Sequence, residues 1–377
     1  MTLLDRLGIL VLVPLDLLSH NASLLPRSRW RGLLGVILGL LLFVPLLGGG
    51  IFYLEQPRLQ EEVFADLNAI AELKAGQIET WLDERRGNAM ILGASPGLIE
   101  DAVRAAGGED VGARRRLVER LETLRQAYAY EGFVVVDAGA QQILAVGLHE
   151  TFAEAPVRQA LQRAFQTARV VTTDFYRSAS GRVHLDVVAP LAQEVGGARR
   201  VVGAVVLDTP VERLVFPLIQ SWPTPSPSAE TLLVRREGDA VLYLNELRHR
   251  QGAALLFSQA LDDPDLPAAR AVLAGVPQFV LGKDYRGVSV LAATRPVAGT
   301  AWHLVAKIDR DEVLSPLRKL VFWVSLVATA AVLVVALLIL LLWRQQTRTH
   351  RFELAAQEIE KAHLLNFFFD LPFVGMT

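Results

Sequence analysis

The residues best able to recognise or transform a small molecule are packed into one short stretch. Thr173-Asp-Phe-Tyr-Arg177 runs into a Ser180-Gly181 turn, and Arg182-Val-His-Leu-Asp186 follows. On an alternating strand Arg182, His184 and Asp186 share one face, opposite Val183, Leu185 and Val187. Mixed charge on one sheet face is costly to bury unless it is paired or meets a polar ligand. Asp174, Tyr176, Arg177, Arg182, His184 and Asp186 are therefore the candidate ligand contacts. The same residues also fit a solvated face, or a strand on which Arg182 and Asp186 pair. Asp208 closes a later strand, where its carboxylate can take a ligand amine or cap a helix.

Enzymatic chemistry finds less support. The 377 residues include no cysteine, which excludes disulfides, thiolate metal sites, iron–sulfur clusters and cysteine nucleophiles. Seven histidines, at 20, 149, 184, 249, 303, 350 and 363, form no pair at metal-ligand spacing. There is no Gly-rich phosphate loop, nucleophile elbow or zinc-protease helix motif, so neither a catalytic residue nor a cofactor is expected. A net charge of −2 argues against a dedicated nucleic-acid binder. Asp137, before Ala138-Gly139, reads as turn chemistry, and Arg114-Arg115-Arg116 as an exposed helix face. Tyr243, Asn245, Arg248 and His249 form a second polar cluster, either a pocket or a surface loop.

The hydrophobic fraction of 52% is concentrated rather than spread. Gly32 to Leu54 is 23 residues without a charge, and Leu320 to Trp343 is 24. As helices at about 1.5 Å per residue each covers roughly 35 Å, enough for a bilayer core. Arg27, Arg29 and Arg31 precede the first span and Glu55, Glu61 and Glu62 follow it, while Arg344, Arg348 and Arg351 follow the second. The positive-inside rule then places both termini in the cytoplasm and residues 55–318 outside, although Arg318 and Lys319 sit on the contrary side. A run from Leu7 to Leu18, interrupted by Pro14 and Asp16, is too short to cross. It reads as an interfacial helix or a mis-assigned upstream start, with the first span an uncleaved signal anchor. Gly35 and Gly39 have the GxxxG spacing that suits close helix contact, hence a homodimer within the surrounding lipid.

Between the spans the composition is that of a soluble domain, with 29 Lys+Arg and 34 Asp+Glu. Leu59, Val63, Leu67, Ile70, Leu73, Ile78 and Trp81 recur at intervals of three to five residues and predict one long amphipathic helix. A break at Gly93 to Gly97 precedes a short helix, begun by Ser95-Pro96 and ended at Gly107-Gly108. A third helix buries Leu117, Leu121, Leu124 and Tyr128. The period then becomes that of strands. A hairpin (Phe133 to Asp137, Ile143 to Val146), a helix from near Pro156 through Phe165, and strands at Val170 to Tyr176, Arg182 to Pro190 and Val201 to Asp208 make one sheet module. Ser221 to Ser228 is a stiff Pro/Ser linker. Beyond it the order recurs. A hairpin (Thr231 to Arg235, Val241 to Leu244) leads to a helical or loop stretch at 252–275 and strands at Pro277 to Leu281, Val288 to Thr294 and Trp302 to Ile308. The fold class is α+β: two antiparallel-sheet modules on a long N-terminal helix, flanked by two transmembrane helices.

This order resembles the double-Cache ectodomains of bacterial transmembrane receptors, two PAS-like modules between a signal anchor and a second span. The phrase that carries it most clearly is Asp284-Tyr-Arg-Gly-Val-Ser-Val-Leu-Ala-Ala-Thr-Arg-Pro-Val, then Gly299-Thr-Ala-Trp-His-Leu-Val-Ala-Lys-Ile-Asp309, similar to the closing strands of a membrane-proximal Cache module. The resemblance implies a pocket against the distal sheet under a helix-loop cap, a small-molecule ligand in the periplasm, and a multi-pass protein of the bacterial inner membrane. Phe367 to Thr377 is similar to the opening of a cytoplasmic PAS domain, which implies a following output of diguanylate cyclase or sensor histidine kinase type. The implied segments are 1–31 (cytoplasmic), 32–54 (first span), 55–220 (long helix and membrane-distal module), 221–229 (linker), 230–318 (membrane-proximal module), 320–343 (second span), 344–366 (signalling helix) and 367–377 (PAS start). Phe352, Ile359 and Asn366 repeat every seven residues along that signalling helix. The alternative is an extracytoplasmic module that senses a partner protein in place of a small ligand.

Overall fold

The structure, a computed structural model, describes residues 27–108, 110–147, 154–195, 198–209 and 211–369. The apolar run at 7–18, His149, the Gly196-Gly197 turn and residues 370–377 of the PAS-like stretch lie outside the described residues. The chain divides into two compact units, residues 56–315 and residues 1–55 with 316–377.

In the 56–315 unit, α1 (Arg27–Gly93) supplies the helix on which both sheets pack. Its buried positions Leu67, Ala71, Ala75, Ile78, Leu82 and Ala89 keep helical spacing. Leu73, expected on that stripe, is 61% exposed. Alanines take its place, and their small side chains let the helix backbone approach the sheets. At the end of α1 a Cβ on Gly93 would lie 2.8 Å from the Pro190 carbonyl oxygen, so this approach requires glycine. Pro96 opens α2 (Pro96–Ala106), and Asp110 caps α3 (Val111–Tyr128) by accepting from the Ala113 amide at 2.8 Å.

The first sheet contains β1 (Gly132–Asp137), β2 (Gln142–Gly147), then, after α4 (Ala155–Thr167), β3 (Val171–Thr172), β4 (Tyr176–Arg177), β5 (Val183–Val195) and β6 (Ala198–Thr209). Its order is β2-β1-β6-β5-β3, all antiparallel, with β4 also on β5. Alternation sorts the side chains. Phe133, Val135, Leu185, Val187, Val205 and Leu207 join the α1 core, whereas Val134, Val136, Val188, Ala204 and Val206 pack with Val157, Ala160, Leu161 and Ala164 of α4. The strand expected from Val170 to Tyr176 is interrupted after Thr172, because Phe175 leaves the sheet for a partner in the other module. A helix to which the sequence pattern gives no bounds, α5 (Val211–Gln220), follows. Lys74 of α1 caps its C-terminus, donating to the carbonyls of Leu218 (2.7 Å) and Ile219 (2.8 Å).

The second sheet is built from β7 (Glu230–Glu237), β8 (Ala240–Tyr243), β9 (Ser258–Ala260), β10 (Gln278–Lys283), β11 (Ser289–Pro296) and β12 (Trp302–Asp309), with α6 (Pro267–Ala274) before β10. The order is β10-β11-β12-β7-β8-β9. Leu233, Leu244, Leu291 and Leu304 face the α1 core, and Leu232, Val234 and Val305 face α6. The stretch at 252–275 thus resolves into β9 and α6. Directly after β12 comes α7 (Arg310–Phe369).

In the other unit, α1 and α7 each carry a segment long and apolar enough to cross a membrane, with best-window mean hydropathies of 2.4 and 3.0. The helix stays continuous through Pro45 and Gly48-Gly49-Gly50. A Cβ on Gly48 would lie 2.6 Å from Ser325 Oγ and 3.2 Å from Val321 Cγ1, so the two helices meet there almost backbone to side chain. Gly35 and Gly39 meet nothing within 4 Å.

Candidate functional site

Strand register assembles the site. Asp186 of β5 stands directly opposite Asp208 of β6, and on its other side Asp208 faces Gly132 of β1. His184, two residues before Asp186, points to the same face and pairs with Tyr176 of β4. This is the face that α4 covers, and His184, Asp186 and Asp208 are 1%, 0% and 3% exposed. Glu131 enters from the turn before β1, and its Oε2 lies 2.9 Å from Arg182 Nη1.

Two carboxylates on directly opposed strand positions repel unless charge is neutralised. Tyr176 donates its hydroxyl to Asp186 Oδ2, and His184 Nδ1 lies 3.0 Å from Asp208 Oδ1. Burial, then the neighbouring Asp208 charge, pushes the Asp186 carboxyl up to about 8, so it holds a proton. Burial opposes a charge on His184, but the hydrogen bond to Asp208 and that carboxylate's charge outweigh it and raise the imidazole. His184 and Asp186 therefore do not titrate independently of each other. Even so, His184 Nε2 is buried with no hydrogen-bond partner among the described residues, while the proton on Asp186 bridges it to Asp208. Unmatched polar atoms in an interior are costly, and a group that donates to them recovers that cost. Chemically the face offers carboxyl and imidazole groups to a cation or to a ligand bearing N–H or O–H groups. One donor atom each from Glu131, His184 and Asp208 lies within 4.8 Å of the other two, a spacing that a metal ion can bridge.

Of the residues singled out from the sequence, the structure brings Tyr176, His184, Asp186 and Asp208 together and puts Arg182 at their edge through Glu131. Asp174 and Arg177 it places between the modules. Asp174 accepts from Trp302 Nε1 at 2.6 Å and pairs with Arg235 at 2.8 Å. Arg177 donates to the Ala254 carbonyl at 2.7 Å. Glu131 carries no sequence signal, since it joins the cluster only through the pairing of β1 with β6.

Three members of the second polar cluster have hydrogen-bond partners in the surrounding module. Asn245 Oδ1 accepts from the Leu233 amide at 2.7 Å, Tyr243 donates to Gln259 at 2.6 Å, and Arg248 donates to the Ala229 carbonyl at 2.6 Å. Beside them the buried Lys307 ammonium lies 2.6 Å from Asp284 and 3.0 Å from Glu230. These groups hold β7, β12 and the β10–β11 turn together.

No family model matches the sequence, and no curated protein matches it. Solved structures do. The chain is similar to the ligand-binding domain of the Pseudomonas fluorescens chemoreceptor CtaA in complex with L-serine, at 18% identity over 67% of this chain and 99% of that one, with a TM-score of 0.44. It is similar also to the ligand-binding domain of the Pseudomonas aeruginosa amino acid chemoreceptor PctB in complex with L-arginine (17%, 67% and 97%, 0.43). A third is the extracellular domain of the putative histidine kinase soHK1S-Z6 (13%, 69% and 98%, 0.48). The α+β architecture of two antiparallel sheets on a long N-terminal helix is this chain's own topology.

Proposed function

We propose that the chain is the sensory part of a transmembrane receptor whose first module binds a small polar ligand on the face under α4. Tyr176, His184, Asp186 and Asp208 make the contacts, with Arg182 and Glu131 at the rim. The observation that carries this reading is the buried His184 Nε2, which has no partner among the described residues, beside the opposed carboxyls of Asp186 and Asp208. A purely structural face would hold apolar residues there, as it does one step along the same strands at Val188 and Val206. Amino acids and amines are the first compounds to try, because they present an ammonium group to the acceptors.

In this reading residues 55–220 and 230–318 are the membrane-distal and membrane-proximal modules, both periplasmic, with both termini cytoplasmic and the receptor a homodimer in the inner membrane. Residues 344–366 lead to a PAS domain and a cyclase or kinase output. β12 ends at Asp309 and α7 begins at Arg310, so a shift of the second sheet displaces the start of the helix that carries the second span. Moving such a two-state equilibrium from 1:99 to 99:1 takes a ligand preference of about 10⁴-fold.

The test is thermal unfolding of the whole chain in lipid nanodiscs against a metabolite set. A ligand at about one hundred times its Kd stabilises by roughly 2.7 kcal/mol. Asp186→Asn and Asp208→Asn should remove that shift, and a folded sample that no compound stabilises would sink the reading. Weight would then pass to a protein partner, which one observation favours: Met90 and Ile91 are 61% and 74% exposed, and Ile91 borders an open cavity of about 600 Å³ with Arg116, Arg120 and Tyr128.

A further inference from the structure

The geometry points to a divalent transition-metal site in the first module, formed by Glu131, His184 and Asp208. It rests on the ligand-binding reading of this face and names the class of ligand. The three residues come from separate segments, the turn before β1, strand β5 and strand β6, and register alone brings them together. One donor atom from each lies within 4.8 Å of the other two. Tetrahedral bonds of about 2.1 Å put donors roughly 3.4 Å apart, so the set has to contract by no more than about 1.4 Å. Glu131, its side chain 12% exposed against 1% for His184 and 5% for Asp208, is the least enclosed of the three.

A second observation is independent of that spacing. His184 Nε2 is buried and has no hydrogen-bond partner among the described residues. One of the three residues thus keeps an unsatisfied ligand atom in the interior, where an unmet polar atom is costly. Glu131 is already oriented as a ligand would be. One of its oxygens is held by Arg182 at 2.9 Å, the kind of outer contact that commonly fixes a metal-binding carboxylate. The two carboxylates offset the charge of a dication. One imidazole nitrogen with two carboxylate oxygens suits zinc or a similar first-row ion, whereas calcium takes about six to eight oxygens. Three protein donors leave a coordination position open, as in zinc sites that bind an exchangeable ligand.

The experiment uses the whole chain in nanodiscs, stripped with a chelator that is then removed. Zn²⁺ is titrated in competition with a chromophoric chelator, with Mg²⁺, amines and amino acids in parallel, and thermal unfolding is recorded for each. One Zn²⁺ per chain, a raised midpoint, and no effect of Mg²⁺ are expected. Glu131→Gln and Asp208→Asn should each weaken Zn²⁺ binding at least about tenfold, while His249→Ala leaves it unchanged. Because Asp208→Asn alters a buried position, Glu131→Gln at the rim keeps the test decisive if the former fails to fold. Absence of Zn²⁺ binding, or binding that Glu131→Gln does not weaken, overturns the metal site. If amines or amino acids stabilise the chain and Zn²⁺ does not, the metal falls and the ligand-binding reading stands. If nothing stabilises a folded sample, both fall.

Discussion

Phe175 and Trp302 lie face to face, ring centroids 4.3 Å apart and planes 7° from parallel, although one belongs to the first module and the other opens β12 of the second. The residues on either side of Phe175 divide two tasks. Asp174 receives the Trp302 indole N–H, and Tyr176 donates its hydroxyl to Asp186 in the candidate site. The candidate site and the joint between modules are therefore held by successive residues of one segment.

That joint is a large buried contact, so Trp302→Ala should destabilise the 56–315 unit by about 3–5 kcal/mol. Phe175→Ala should cost a similar amount. The two losses should fall short of additivity by about 0.5–1.5 kcal/mol, the coupling expected of a stacked aromatic pair. Denaturant unfolding of the single and double variants measures it. Strict additivity would mean that the rings merely fill space side by side.

Gly48 and Ser325 make a comparable close approach between the apolar helices. A Cβ at 48 would stand 2.6 Å from Ser325 Oγ, so Gly48→Ala should lower stability in detergent by about 1–3 kcal/mol, the usual range for overpacking. Ser325→Gly in the same chain should restore most of the loss by removing the atom that clashes. Gly49→Ala and Gly50→Ala, where nothing lies within 4 Å, should leave the same unfolding midpoint unchanged. A Gly48→Ala chain as stable as the parent would show that the helices do not touch there.

In the second module the Asp284 carboxylate is buried between Lys307 and Arg286. Burial alone would raise its pKa, but the Lys307 ammonium and the Arg286 contacts outweigh that and hold it below the ordinary 3.8. A depressed carboxyl pKa contributes stability above its unfolded value, and that contribution is lost as pH falls through the folded one. Asp284→Asn should therefore cost about 3 kcal/mol at pH 7, since it strips one partner from a buried ammonium. The difference from the parent should shrink as the pH drops below about 3.8. Unfolding curves at pH 7, 5 and 3 decide it, and a difference that stays constant would mean that Asp284 is not charged in the fold.

Sequence period was enough to read the sheets and helices, because alternation and helical spacing record which side of each element is buried. Where the reading missed, the cause was non-local. Leu73 looks like part of the α1 stripe until alanines at 71 and 75 are seen to bring the helix against the sheets. The break after Thr172 exists only because Trp302, far along the chain, takes Phe175. His184 and Asp186 were legible as one face of a strand. Their meeting with Asp208 depends on register, and Glu131 on the register of yet another strand, which no local pattern encodes. Asp174 and Arg177 share the chemistry of the site residues and differ only in what the fold puts beside them.

The Pro/Ser linker is tied to the start of α7, and this too is a contact that spacing does not reveal. Ser226 Oγ donates to Glu312 Oε1 at 2.7 Å, the Ser228 amide donates to Oε2 at 3.1 Å, and Ser228 Oγ in turn accepts from the Asp309 amide at 3.0 Å. Glu312 lies in the first turn of α7, where a carboxylate is favoured by the unpaired amides and the helix dipole. The linker thus fastens the junction through which the second sheet continues into the helix. Removing the Ser228 hydroxyl should release that turn without disturbing either core. Ser228→Ala should lose about 1–1.5 kcal/mol of local stability, an acceleration of roughly tenfold in amide hydrogen exchange at Asp309 to Ser315. Exchange in β5 and β6 should stay at the parent rate. Uniform acceleration across all strands would instead mark the serine as part of the global fold, and no acceleration would mean that the linker leaves α7 free.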